Sequence, residues 1–196
     1  METSNYISII TFFGIIVALL GLFLIGRWIK QIDIWINGHA GEIKVSWELR
    51  KLNKQNYIVF NDVRIRHNNS YAQIDHLVVS NYGIFVIETK NYKGWILGYE
   101  YAQYWHQVIF RYKHKFYNPI QQNRGHIFAL KRLLKEYKDL KFISIIVFTQ
   151  RATLKTTNVT DVIYIWELLK TINRYDEYCI DDNTKEEIAS LLRACK

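Results

Sequence analysis

Two apolar runs in the stretch YAQIDHLVVSNYGIFVIETK, residues 71–90, are separated by Ser80, Asn81, Tyr82 and Gly83. Runs of this length, rich in β-branched residues and broken by an Asn- and Gly-bearing turn, predict a hairpin with strands over 72–79 and 84–89. A two-residue turn at Asn81-Tyr82 pairs Ser80 with Gly83 and Val79 with Ile84. Carried along the strands, that register sets Asp75 opposite Glu88. Directly opposed residues have β-carbons about 4.5–5.5 Å apart, where like charges destabilise. Alternation puts Lys90 on the same face as Glu88. The hairpin therefore gathers two carboxylates and an ammonium in an otherwise apolar setting.

The rest of the chain supplies a frame for that hairpin. Residues 42–53 carry Val45, Leu49 and Leu52 at helical spacing, with Glu42 on the same inward face. A further strand is expected over 57–66, with a turn at Asn68-Asn69, and one or two strands within 94–110. Asn118 and Pro119, the only proline, suit the cap and first turn of a helix running to about residue 138. KFISIIVFT is a continuous apolar strand of the kind buried on both faces. A short strand and a helix follow over 161–175, and a last helix over 183–194. This order predicts an α/β fold with a mixed sheet flanked by helices.

Residues 6–25, YISIITFFGIIVALLGLFLI, carry no charge. Twenty residues span a hydrocarbon core about 30 Å thick. A cleaved signal peptide would show a basic region before the run and a small-x-small site after it, and neither is present. The reading is a transmembrane anchor over 1–30, a juxtamembrane connector over 31–41 ending in the flexible Gly38 and Gly41, and a domain over 42–196. Arg27 and Lys30 follow the run, so the positive-inside rule keeps the C-terminal domain in the cytoplasm. Trp28 and Trp35 suit the interface. Cys179 and Cys195 have neither CxxC spacing nor a nearby histidine pair, which argues against zinc and for a reducing compartment.

The formal charge is +8, and the chain stays basic when the first 30 residues are set aside. A polyanion, nucleic acid or an anionic lipid surface, is the expected partner. Lys93, Arg111, Lys113 and Lys115 are the candidates for phosphate contacts. Aromatic residues interleave with them over 99–117, where Trp105 and its neighbours either stack bases or pack a core. His76 neighbours Asp75 but alternates to the opposite face and reads as a core histidine. His106, His114 and His126 lack metal-ligand spacing with one another and receive no role.

Opposed carboxylates share a proton or hold a divalent cation. Mg²⁺ takes one or two carboxylates and completes its shell with water and substrate phosphate. Such a cation activates water and offsets charge developing on phosphorus, and Lys90 beside it can orient the water or stabilise that charge. Glu42 can reach the same cation from its helix. The bland reading, in which Lys90 only neutralises Glu88 at a sheet end, remains open on these residues alone.

Gly41-Glu42, QIDHLVVSNYGIFVIETKNYKGWILG, the WHQ at 105–107 and the NPIQQNRGH at 118–126 together resemble the nuclease-related domain, NERD, over about residues 38–134. That resemblance implies a restriction-endonuclease-like fold of the PD-(D/E)xK superfamily. It also implies a Mg²⁺- or Mn²⁺-dependent nuclease with DNA as the polymer. Asp75 then matches the metal-binding aspartate, Glu88-Thr89-Lys90 the (D/E)xK element and Glu42 the helical acidic residue. Gln121 matches the helix glutamine, although Gln122 follows it. The implied metal site is Asp75, Glu88, Thr89 and Glu42, and the implied catalytic set is Glu42, Asp75, Glu88, Lys90 and Gln121. Ile74 stands where the superfamily name has proline. A non-catalytic nucleic-acid-binding module that retains the same architecture is the alternative.

Overall fold

The computed structural model describes residues 2–67, 70–156 and 161–195; the side chains of residues 2–13, 18, 30, 33–35, 37, 67 and 70 are outside that description. The chain divides into two compact units, Met1–His39 and Ala40–Lys196. Helix α1 runs over Glu2–Leu49. Residues 31–41, expected to be a juxtamembrane connector ending in flexible glycines, are thus helical. Among the described residues no helix is long and apolar enough to cross a membrane. The expected span at 6–25 falls partly on residues whose side chains lie outside the description, 6–13 and 18, as does Trp35. In its described part Ile15, Val17, Leu22 and Phe23 are exposed, and so is Trp28 beyond it.

The second unit is a mixed α/β structure with two sheets. Strands β1 (Tyr57–His67), β2 (Ser70–Ser80) and β3 (Gly83–Lys90) form an antiparallel meander. The expected turn between β1 and β2, at Asn68-Asn69, is outside the described residues. Strand β7 (Phe142–Phe148) joins β3 in parallel, and β9 (Val162–Tyr164) joins β7, giving the order β1-β2-β3-β7-β9. The hairpin register is the one inferred from the turn, with Ser80 opposite Gly83 and Val79 opposite Ile84.

Helices cover both faces of this sheet. On one side Val63, Leu77, Val79, Ile84 and Val86 pack against Leu130 and Leu134, at the end of α2 (Pro119–Leu133), and against Ile188 and Leu192 of α4 (Asp182–Arg193). On the other side Val78, Phe85, Ile87 and Ile145 meet Val45, Leu49 and Leu52, in and just after the end of α1, and Leu168 and Ile172 of the short α3 (Leu168–Ile172). The helical spacing of Val45 and Leu49 therefore has the burial it implied. Helix α2 begins as expected: the Asn118 side chain accepts from the Ile120 N–H, and Pro119 opens the first turn. It ends five residues before the expected 138: the Leu134 N–H makes the closing bond to the Leu130 carbonyl, and the Tyr137 N–H then turns back on the Leu134 carbonyl.

The second sheet was not anticipated as a separate layer. Its order is β6-β5-β4-β8, with β4 (Gly94–Leu97), β5 (Tyr104–Ile109), β6 (Tyr112–Tyr117) and β8 (Ala152–Leu154). Ile96, Trp105 and Ala152 on its inner face pack with Ile120, Ile146 and Phe148. Trp105 is fully buried, its ring stacked on Phe148 with centroids 6.4 Å apart and its Nε1 donating to the Tyr99 carbonyl. It is a core residue, and the base-stacking alternative for Trp105 falls.

Candidate active site

The β2–β3 ladder ends with His76 opposite Ile87. Beyond that pair, the Thr89 N–H donates to the Asp75 carboxylate (2.8 Å). Next to Asp75 the β1–β2 pairing passes from Asn61–His76 to Val63–Ile74 over Asp62, whose φ is 53°. Aspartate is one of the few residues that visits this left-handed region readily. Ile74 and Leu77 both join the same core despite their odd spacing, so β2 turns about its own axis at Asp75. The aspartate thus sits where its strand is irregular on one side and leaves its neighbour on the other.

Glu88 and Lys90 share the face of β3 that meets α2, as alternation required. Glu88 is buried, and Lys90 Nζ donates to its Oε1 (2.6 Å) and to Gln122 Oε1 (3.1 Å). Glu88 Oε2 is buried with no hydrogen-bond partner; His126 Nδ1 lies 3.5 Å from it. Burial would lower the Lys90 pKa, but the charge and hydrogen bond of Glu88 outweigh it and hold the ammonium above its ordinary value. Burial drives His126 below the usual imidazole range, with Glu88 opposing and Lys90 adding to the effect. His126 is therefore neutral at pH 7 and touches Glu88 without forming an ion pair.

Asp75 is the most perturbed carboxylate here. Burial and the Glu88 and Glu42 charges push it up to about 7, against the Thr89 N–H and Lys90. That shift is the signature of a buried carboxylate that also has acidic neighbours and too little positive charge beside it. Glu42 comes from α1 and is half-buried. Gly41 is what lets α1 approach: a β-carbon there would meet Asn91 Cβ at 2.7 Å and Thr89 Cγ2 at 3.4 Å. So Gly41 is a close-contact residue inside a helix. The flexible role expected of it is withdrawn.

Helix α2 approaches β3 from the other face. Asn123, fully buried, donates to the Val86 carbonyl (2.7 Å) and to Ser144 Oγ (2.8 Å). Asn118 Nδ2 donates to the Glu100 (2.9 Å) and Ala102 (2.6 Å) carbonyls. These anchors set the helix phase, and the phase selects the glutamine. Gln122 reaches Lys90, while Gln121 Nε2 donates to the Glu100 carbonyl (3.3 Å) and does not join the cluster. The expected Gln121 is corrected to Gln122. His126, one helical turn beyond Gln122, is the residue that sequence reasoning missed; its i, i+4 spacing from Gln122 was the available signal.

His76 behaves as expected, with its Nδ1 2.7 Å from Asn61 Oδ1 and its pKa lowered by burial to about 4. Lys93, Arg111, Lys113 and Lys115 are all exposed. Lys93 directly precedes β4, Lys113 and Lys115 lie on β6 and Arg111 is in the turn before it, so none belongs to the carboxylate cluster.

No group of three or more His, Cys, Asp or Glu side chains able to hold a metal ion occurs among the described residues. The donor set on offer is smaller: the Asp75 carboxylate and Glu88, whose buried Oε2 lacks a hydrogen-bond partner. Such a set fits a hard cation that takes one or two carboxylates and otherwise binds water and phosphate.

Comparison with known proteins bears on this arrangement. The family model of the nuclease-related domain matches residues 37–149, which includes Glu42, both carboxylate strands, α2 and β7. An uncharacterized protein of Bacillus anthracis is 39% identical over 171 residues, covering 84% of this chain and 79% of that protein. No solved structure matches.

Proposed function

Since the chain belongs to the nuclease-related domain family, we propose that it is a metal-dependent nuclease that hydrolyses DNA phosphodiester bonds. Residues 6–25 hold it at a membrane, with the C-terminal domain in the cytoplasm. The observation that carries the catalytic reading is the cluster at the end of β3. There Asp75 is crowded by acidic neighbours, and Glu88 keeps one buried oxygen without a hydrogen-bond partner.

Asp75 and Glu88, with Thr89 and Glu42 beside them, are the residues that would hold Mg²⁺ or Mn²⁺. When bound, the cation supplies positive charge that acidifies a water and offsets the charge of the phosphate. Lys90 has three N–H donors. Glu88 and Gln122 take two of them, which leaves one for a water or a phosphate oxygen. Gln122 fixes the direction of that donor, and the neutral His126 backs Glu88 without competing as a cation. Asn123 keeps α2 at the distance this geometry needs.

The test is incubation of the full chain with linear and circular DNA, with and without Mn²⁺. The expected result is metal-dependent product that falls at least ~100-fold in Asp75→Ala and Lys90→Ala, while their circular dichroism matches the parent. Undiminished cutting by both variants would overturn the assignment. Salt-dependent binding with no cutting by the parent would leave a non-catalytic binding module instead. For the anchor, the chain should stay in the pellet after alkaline carbonate extraction of membranes; release into the supernatant rejects that part. The exposed apolar side chains of α1 between residues 15 and 25 support anchoring.

A further inference from the structure

One face of the second sheet is open among the described residues of its unit. Pairing sets Trp95 opposite Val108, Val108 opposite Lys113, His106 opposite Lys115 and Tyr104 opposite Tyr117. Directly paired residues share a face. Ile96, Trp105 and Phe116 alternate to the packed side, so these residues stand on the other. There Trp95 is 55% exposed, Tyr117 48% and Tyr104 36%, and Lys113 and Lys115 are exposed as well. The Lys115 ammonium sits 3.7 Å from the Tyr104 ring centroid. Residues 92–117 hold ten aromatic side chains and a single carboxylate, Glu100, which pairs with Arg124.

The turn joining β5 to β6 adds an independent observation. Ile109 pairs with Tyr112, so the turn has two central residues, Phe110 and Arg111. Phe110 takes φ 54°, a conformation that ordinarily draws glycine. Its ring is 96% exposed. A bulky aromatic held in a disfavoured backbone, with no packing in return, is the kind of outlier that accompanies function.

We propose that this face is a stacking platform for unpaired nucleotides, which makes single-stranded nucleic acid the polymer presented to the site. Bases lie on Trp95, Tyr117 and Phe110, and phosphates meet Lys113 and Lys115. Stacking serves single strands because every base has a π-face, and basic residues among the rings track the backbone. The platform also adjoins the carboxylates along the chain. Lys90 and Trp95 are five residues apart, a span of at most about 18 Å. The inference rests on the nuclease reading for the use made of the bound strand, but the binding itself does not.

The experiment measures anisotropy of a labelled oligothymidylate and of a hairpin duplex with the full chain in EDTA, so that binding is read without cleavage. Trp95→Ala combined with Tyr117→Ala should weaken oligothymidylate binding about tenfold for each ring and duplex binding less. Trp95→Phe should retain it. Lys113→Gln with Lys115→Gln should reduce the slope of log K against log salt by about 1.4. Phe110→Gly should weaken binding and yet raise the melting temperature, because glycine relieves the backbone; a merely structural phenylalanine would not do both. The proposal is overturned if the Trp95/Tyr117 double variant binds oligothymidylate like the parent, or if single strand and duplex weaken equally. It is also overturned if these variants abolish sedimentation with phosphatidylserine vesicles and leave oligonucleotide binding intact. Single-strand binding by this face without any cutting would reject the nuclease and keep the platform. Cutting that survives unchanged binding in the double variant would do the reverse.

Discussion

The two sheets handle polar chemistry in opposite ways. The five-stranded sheet is covered on both faces, and Asp75, Glu88 and Lys90 gather where β3 ends and β2 departs from it. Desolvation there pushes Asp75 up to about 7 and leaves a Glu88 oxygen without a hydrogen-bond partner. Among the described residues of its unit the four-stranded sheet is covered on one face, and its cations stand in water beside exposed rings. For the proposed action on a phosphodiester, a dry, crowded setting is an advantage, because each charge counts for more there. A surface that grips a polymer gains from access. The chain runs from one to the other within the few residues between Lys90 and Gly94.

The largest expected effect separates the two faces of the second sheet. Trp105→Ala should cost about 3–5 kcal/mol of stability, read from urea unfolding, because the ring is fully buried against Phe148. Trp95→Ala, ten residues earlier and on the open face, should stay within about 0.5 kcal/mol. Equal losses would mean that the outer face is packed, and the contrast between the sheets would break.

Gly41→Ala should come next. Alanine brings about 1 kcal/mol of helix propensity, but its β-carbon would lie 2.7 Å from Asn91 Cβ, and such overpacking costs about 1–3 kcal/mol. A net loss of about 1 kcal/mol is expected, with lower cleavage because Glu42 moves with the helix. A gain in stability would show that α1 need not approach β3 so closely.

A pH-dependent effect sharpens the electrostatic half of the comparison. In EDTA, the folded Asp75 has a pKa of about 7 against its ordinary 3.8. Between those values the folded state holds more protons than the unfolded one, so this group's stability contribution falls as pH rises from about 4 to about 7. Asp75→Asn should remove that decline, giving a melting temperature higher than the parent's at pH 8 and close to it at pH 4. His76, lowered to about 4 by burial, works the other way: its contribution is lost as pH falls below 6.5. The parent-minus-variant difference isolates Asp75, and a difference that does not change with pH would show that burial and acidic neighbours do not raise its pKa.

Much of the first sheet was legible before the fold was known. The SNYG turn sets the β2–β3 register, and alternation then puts Glu88 and Lys90 on one face. Val45 and Leu49 declared the inward side of α1 by spacing alone. The second sheet was harder to read. β4, β6 and β8 have only four, six and three residues, too few for periodicity to stand out, and β8 pairs with a strand more than fifty residues away. Gln121 and Gln122 could not be separated by motif, because neighbours on a helix differ by about 100° in direction and only the docking of α2 says which of them faces β3.

What the sequence by itself determined is therefore local: the hairpin register, the cap of α2, and the presence of Asp75, Glu88 and Lys90 within one short stretch. Turn chemistry and strand alternation act between near neighbours and need nothing else. Tertiary structure decided the partners from afar. Gln122 reaches Lys90, and His126 reaches Glu88, because Asn118 and Asn123 seat α2. Glu42 arrives because Gly41 admits α1. The outer face of the second sheet keeps its rings exposed among the described residues of its own unit. Each of these depends on how separate elements dock, and docking is set by the packing of whole surfaces, which no short stretch of residues encodes.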